Sequence, residues 1–203
     1  MITLILPVSC EQGFENLRKS LFNLSTDIDQ RTNILIIAYS PQIYLEARNY
    51  MVEYAHIGED LVVYSEKKNL LVALDHLGNK DEYIFIWNEN TVVTQGALMS
   101  LYHSYLEYPR AGFITGILFG EDIPYWVKDI YSERPRLIKR SQRKEKDNLV
   151  DTTYPFCMMT KTEHFKDFFF KSRSKVGFGL SLRRAGFQNY MDKTAISKYV
   201  EVK

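Results

Sequence analysis

The chain reads as an α/β protein built on a mostly parallel central sheet with helices on both faces. Two observations predict this. Short apolar runs, of the kind that suits a strand buried on both faces, recur through the first half. Between them lie stretches with apolar residues at helical spacing. Strands alternating with helices imply parallel neighbours joined by helical crossovers. In such sheets ligands bind beyond the carboxyl ends of the strands. The segments after Val8, Tyr39, Tyr64 and Trp87 are therefore expected on one edge.

The elements follow in order. Ile2 to Val8 is a short apolar run interrupted only by Thr3 and Pro7, which suits a buried strand. Phe14, Leu17, Leu21 and Leu24 then fall on one helical face. Asn33 to Tyr39 is a second strand, closed by Ser40-Pro41, and a helix is expected from about Gln42 to Tyr54. Asp60 to Tyr64 reads as a third strand, Asn69 to Leu77 as a third helix, and Glu82 to Trp87 as a fourth strand ending in Asn88-Glu89-Asn90. Gly96 to Leu106 reads as a helix and Ala111 to Leu118 as a strand. Later, Thr153 to Met159 suits a strand and Thr162 to Phe170 a short helix. Leu180 to Ala185 looks helical and stops at Gly186, a usual C-terminal cap. Phe187 to Met191 is the last expected strand. No repeat or low-complexity linker divides the 203 residues, so one domain is expected over 1–203.

Composition excludes more than it assigns. The 26 Lys+Arg and 25 Asp+Glu leave a formal net charge of +1, which gives no argument for nucleic acid. Cys10 and Cys157 are too few for a disulfide framework, and His56, His76, His103 and His164 form no metal spacing. No run approaches the length of a membrane span, and Met1 to Val8 lacks the basic lead of a signal peptide. A cytoplasmic protein is expected. From Glu133 to Lys146 there are seven Lys/Arg against two Glu. That run reads first as a solvated loop, with contact to an anionic membrane surface as the alternative.

Several stretches match a known family in order. The opening Leu6-Pro7-Val8 resembles its first strand. Ser65-Glu66-Lys67-Lys68-Asn69 with Ala73-Leu74-Asp75 resembles its Asn-x-Gly and Ala-Leu-Asn segment. Tyr83 to Val93 resembles the strand that delivers Asp-x-Asp. Val150-Asp151 through Phe156 to Met159 and on to Phe165 resembles the strand before the catalytic acid. Leu182-Arg183-Arg184-Ala185-Gly186-Phe187-Gln188-Asn189-Tyr190 resembles its Leu-Arg-x-x-x-Gly-Tyr-x-x-Tyr ending. In this order the chain resembles the GT-A-fold glycosyltransferases, closest to family 2, the inverting, nucleotide-sugar-dependent type. The resemblance implies a GT-A fold, with about 1–95 as the nucleotide-binding half and about 96–203 as the acceptor-side half. It implies a nucleotide diphosphate sugar as donor and a carbohydrate, lipid-linked or protein acceptor. It places the donor near Pro7, Val8, Ser9, Ala38, Tyr39, Ser40, Lys67, Lys68, Asn69, Asn88, Glu89 and Asn90.

The departures are concentrated at the family's catalytic centre. In the family, Asp-x-Asp holds Mn2+ or Mg2+ against the diphosphate. Here the aspartates are replaced by Asn88 and Asn90, and Glu89 is the acid between them. Glu89 and Asn90 are the candidate metal ligands, with weakened affinity because an amide brings no charge. The family's Glu-Asp pair falls on Ser174 and Lys175, and its late metal-binding His falls near Tyr199. Leu71 stands where a glycine is usual. A protonated lysine is a poor general base. Asp151, Glu121 and Asp122 are the candidates for a displaced base.

Two functions stay open. One is a transferase, with Lys67, Lys68, Lys171, Arg173 and Lys175 available to neutralise the departing diphosphate without a metal. The other is a catalytically degenerate partner that positions an active glycosyltransferase. A dinucleotide or P-loop binder is disfavoured, because no Gly-x-Gly-x-x-Gly or Walker-type loop follows the first strand.

Overall fold

The computed structural model describes residues 1–28, 32–54, 60–78, 82–119, 127–128, 137–138, 149–150, 157–172 and 175–200. Strand β1 (Ile2–Val8) is the hub. It pairs in parallel with β2 (Thr32–Ala38) on one side and β4 (Tyr83–Trp87) on the other. Strand β3 (Asp60–Tyr64) extends the parallel set beyond β2. Past β4 the sheet becomes mixed. Strand β10 (Cys157–Lys161) runs antiparallel to both β4 and β6 (Ala111–Phe119). Strand β11 (Gln188–Tyr199) lies parallel to β6 and antiparallel to β5 (Thr91–Val93) and β9 (Leu149–Val150). The nine-stranded sheet thus has the order β3-β2-β1-β4-β10-β6-β11-β5, with β9 on β11. Strands β7 (Val127–Lys128) and β8 (Leu137–Ile138) form a separate pair.

Both faces are covered, and the period-2 alternation of the strands divides the core in two. Leu4, Leu6, Val8, Ile34, Ile36, Phe85 and Trp87 face helices α1 (Glu11–Leu24), α2 (Pro41–Glu53) and α3 (Ala97–Glu107), meeting Leu17, Leu21, Ile43 and Leu101. Ile5, Leu35, Ile37, Ile84 and Ile86 face the other way. They pack with Leu70 and Ala73, with Phe165 after the short helix α4 (Thr162–His164), and with Phe178 and Leu182 of α5 (Lys175–Arg184). Each fully buried aliphatic or aromatic side chain contributes about 1.5–3 kcal/mol. A strand with both faces buried explains the near-continuous apolar runs of β1, β2 and β4.

Several expected elements differ from the sequence reading: β10 runs on to Lys161 rather than Met159, and α5 begins at Lys175 rather than Leu180. The third expected helix is a 3-10 helix, Leu70–His76. Side chains three apart eclipse in that geometry, and Leu70 and Ala73 are its buried pair. The helix expected from Thr162 begins as α4, then widens into a π turn over Phe165–Phe169. The last strand is far longer than Phe187 to Met191, because a register shift between Met191 and Ile196 carries it past polar Asp192-Lys193. Gly186 does stand after the last helix, with a positive φ of 92° that suits a residue without Cβ. Among the described residues no helix is long and apolar enough to cross a membrane.

Asp192 is what makes that irregular strand stable. It is 8% exposed. Its carboxylate accepts from Ser100 Oγ at 2.7 Å, Ser104 Oγ at 2.8 Å, and from the Thr194 N–H at 2.8 Å and Oγ at 2.6 Å. Burial alone would raise its pKa, but the hydrogen bonds from Thr194, Ser100 and Ser104 hold it below the ordinary carboxylate value. A depressed folded-state pKa gives stability that is present above the unfolded value, near 3.9, and lost as pH falls through the folded value. Near neutral pH, Asp192→Asn is expected to lower the urea-unfolding stability by about 2 kcal/mol. The gap to wild type should shrink in acid, below about pH 4. A gap that does not change with pH would contradict this.

Candidate functional site

The carboxyl ends of the parallel strands line up as the fold requires. Val8 is paired with Ala38, and Ala38 with Tyr64. The next residues continue the alignment, the Tyr39 N–H donating to Val8 O and the Ser65 N–H to Ala38 O, both at 2.9 Å. Pro7–Ser9, Ala38–Ser40, Lys67–Asn69 and Asn88–Asn90 therefore lie at or just past the carboxyl ends of the four strands.

After β4 the chain turns sharply. Asn88 is 8% exposed. Its side-chain oxygen accepts from the Asn90 N–H at 2.9 Å, and its backbone oxygen accepts from Thr91 N–H and Oγ. This is an Asx turn, the local bonding that asparagine favours. It directs Glu89 towards the end of β1. One Glu89 carboxylate oxygen accepts from the Ser9 N–H and the other from Ser9 Oγ, both at 2.6 Å. Bonds to a charged acceptor are short and strong.

Helix α1 supports that turn from beneath with residues the sequence reading did not single out. Asn16, fully buried, donates its amide to Glu89 O at 2.8 Å. Ser20 Oγ accepts from the Val93 N–H at 3.1 Å, and Asn23 donates to Val93 O at 2.8 Å. Asn16, Ser20 and Asn23 sit at i, i+4 and i+7, beside the apolar stripe of Leu17, Leu21 and Leu24. A polar stripe at that spacing was the available signal. Gly13 was another. A Cβ there would stand 2.6 Å from Glu89 Oε2 and 3.0 Å from Glu89 Cβ, so the absence of a side chain makes room for the acid. Burial, and then the nearby Glu89 charge, push the Tyr39 phenol up to about 12.

Beside β3 the edge opens into a cleft of about 540 Å³ lined by Ser65, Glu66, Lys67, Asn69, Leu71 and Val72, among others. Ser65 Oγ donates to Lys67 O at 2.9 Å, and the Asn69 N–H donates to the same oxygen at 2.6 Å. Asn69 Oδ1 accepts from the Leu71 N–H at 2.9 Å and caps the 3-10 helix. These bonds fix the loop that carries Lys67 and Lys68, both exposed. Ser40 has a structural task as well: its hydroxyl accepts from the Ile43 N–H at 3.2 Å and caps α2.

Asp151, Glu121, Asp122, Arg173 and Ser174 lie outside the described residues. Lys175 is the first residue of α5, and Lys171 is exposed in the turn before it. Most of the basic run from 134 to 146 also lies outside the described residues. Among the described residues, no group of three or more His, Cys, Asp or Glu is placed to hold a metal ion.

No protein-family model matches the chain, and no curated protein matches it. Solved structures do. One is the mannosyltransferase PcManGT from Pyrobaculum calidifontis in complex with GDP-Man and Mn2+. It has a TM-score of 0.69 and 12% identity, with all of this chain covering 57% of that one. Residues 1–349 of S. aureus TarS give a TM-score of 0.64 and 14% identity, with 98% of this chain covering 60% of that one. The TarS complex with UDP-GlcNAc gives 0.64 and 12%, with all of this chain covering 59%. The likeness establishes a GT-A-like α/β fold along this chain, which spans less than two thirds of the length of these structures.

Alanine in place of a helical glycine ordinarily adds about 1 kcal/mol of stability. Gly13→Ala is expected to do the reverse here and lower Tm, because its Cβ meets the Glu89 side chain. In a Glu89→Ala background the same change is expected to raise Tm. Thermal unfolding of the four proteins checks both signs, and a rise for Gly13→Ala alone would contradict the packing.

Proposed function

We propose that this chain is a glycosyltransferase-like protein that binds a nucleotide diphosphate sugar across the carboxyl ends of β1 to β4. It passes the sugar to a carbohydrate, lipid-linked or protein acceptor. The observation that carries the proposal is the open cleft at Ser65–Asn69, beside the aligned ends of four parallel strands. Ligands of α/β sheets bind at that edge. The fold likeness to structures holding GDP-Man and UDP-GlcNAc supports the same donor class.

In this reading residues 1–95 bind the nucleotide and residues 96–203 present the acceptor. Tyr39 and the cleft wall at Leu71 and Val72 offer aromatic and apolar surface to a base or ribose. Lys67, exposed on a loop fixed at its backbone oxygen, offers its ammonium to the diphosphate. A cation there stabilises charge that develops on the leaving group.

A second reading is favoured by the Glu89–Ser9 bonds, which engage the acid nearest the proposed site. In it the chain binds the donor class but transfers nothing, and serves as partner to an active transferase. Thermal shift against UDP- and GDP-sugars tests binding, since a ligand stabilises the folded state in proportion to its occupancy. A transfer assay with the bound donor then separates the two readings. Lys67→Ala is expected to weaken binding about tenfold, equivalent to about 1.4 kcal/mol. Arg18→Ala, on the outer face of α1, is expected to leave it unchanged. No shift with any donor at millimolar concentration would overturn both readings.

A further inference from the structure

We infer that the Asn88-Glu89-Asn90 turn is a clasp rather than a cation site. Glu89 is a positioning residue that fixes Ser9 and the start of α1, and nucleoside diphosphates bind this edge without Mn2+ or Mg2+. The nucleotide part rests on the function proposed above; the clasp itself does not.

Four observations carry the inference. Both oxygens of the Glu89 carboxylate are engaged by one residue, through its backbone and its side chain. Such a two-point contact holds the acid in one orientation. The space it occupies exists because residue 13 is glycine, and a Cβ there would come within 2.6 Å of the same carboxylate. The backbone of Glu89 is held as well, by the buried amide of Asn16. Asn88, which takes the place of the family's first aspartate, is buried with its oxygen committed to Asn90. A hard divalent cation takes six or more oxygen ligands and draws its affinity from charged ones. One carboxylate already bonded to Ser9 is a poor donor set for it. The position also suits an anion for its own sake, since Ser9 leads into the amino end of α1, where the helix dipole favours negative charge.

The two roles for Glu89 respond differently to substitution. A glutamine keeps the shape and can still bond Ser9 at both points, the Ser9 N–H donating to its oxygen and its amide donating to Ser9 Oγ. It loses the charge on which a cation depends. A clasp therefore survives Glu89→Gln and fails in Glu89→Ala, whereas a metal site fails in both.

The test uses the full chain, with Mn2+ alone, UDP and GDP as probes. Electron paramagnetic resonance of Mn2+ is expected to show no protein-bound ion, with or without UDP or GDP. Amide exchange over residues 9–16 is expected to quicken about tenfold or more in Glu89→Ala and to stay within about twofold of wild type in Glu89→Gln. UDP and GDP affinities are expected to agree within about twofold in EDTA and in Mn2+, and to persist in Glu89→Gln. Stoichiometric Mn2+ on the wild type, lost equally in both variants, would overturn the inference. So would unchanged exchange in Glu89→Ala. If neither UDP nor GDP binds under any condition, the proposed function falls and so does the metal-free binding claim. The Mn2+ and exchange measurements still decide the clasp.

Discussion

Strand β1 is the constraint on which everything else rests. It is buried on both faces and bonded in parallel on both edges, to β2 and to β4. A parallel pair cannot be closed by a hairpin, so each neighbour needs a crossover. The α1 crossover lies on one face of the sheet and the 3-10 helix on the other, and the apolar alternation of β1 serves both cores. The same constraint sends the chain ends of β1, β2, β3 and β4 to a single edge. The site is a consequence of that pairing before it is a matter of chemistry.

At that edge the polar side chains spend much of their bonding on the protein itself. Asn88, Glu89, Ser9, Asn16, Ser20 and Asn23 form a connected set that holds the segment after β4 against α1. Buried polar groups are costly unless paired, so such a set is rigid when complete. The loop after β3 is different. Its backbone is fixed, while Lys67 faces an open cleft. The edge thus separates a corner whose acid is bonded to Ser9 from an open cleft where Lys67 lies with Glu66 and Asp75.

Much of this was legible in the sequence. Buried parallel strands write themselves as apolar runs, and β1, β2 and β4 lie where those runs do. Their order is enough to place Ser9, Tyr39, Lys67 and Asn88 on one edge. What was not legible depends on contacts between distant residues. Glu89 and Ser9 are 80 positions apart, and no local pattern links them. The extension of β11 beyond Met191 was hidden by Asp192-Lys193, which read as a strand end until Ser100 and Ser104 of α3 are seen to satisfy the acid. The 3-10 helix was hidden because seven residues are too few for periodicity to distinguish it from an α-helix.

The proposed nucleotide site lies on the carboxyl edge of the parallel strands. An amide NMR titration of the labelled full chain with UDP-GlcNAc and GDP-Man tests it most directly. Shifts are expected at Ser9, Tyr39, Ser65, Lys67 and Asn69. Shifts confined to the outer face of α1 and α2, around Arg18, Phe22 and Tyr50, would contradict it.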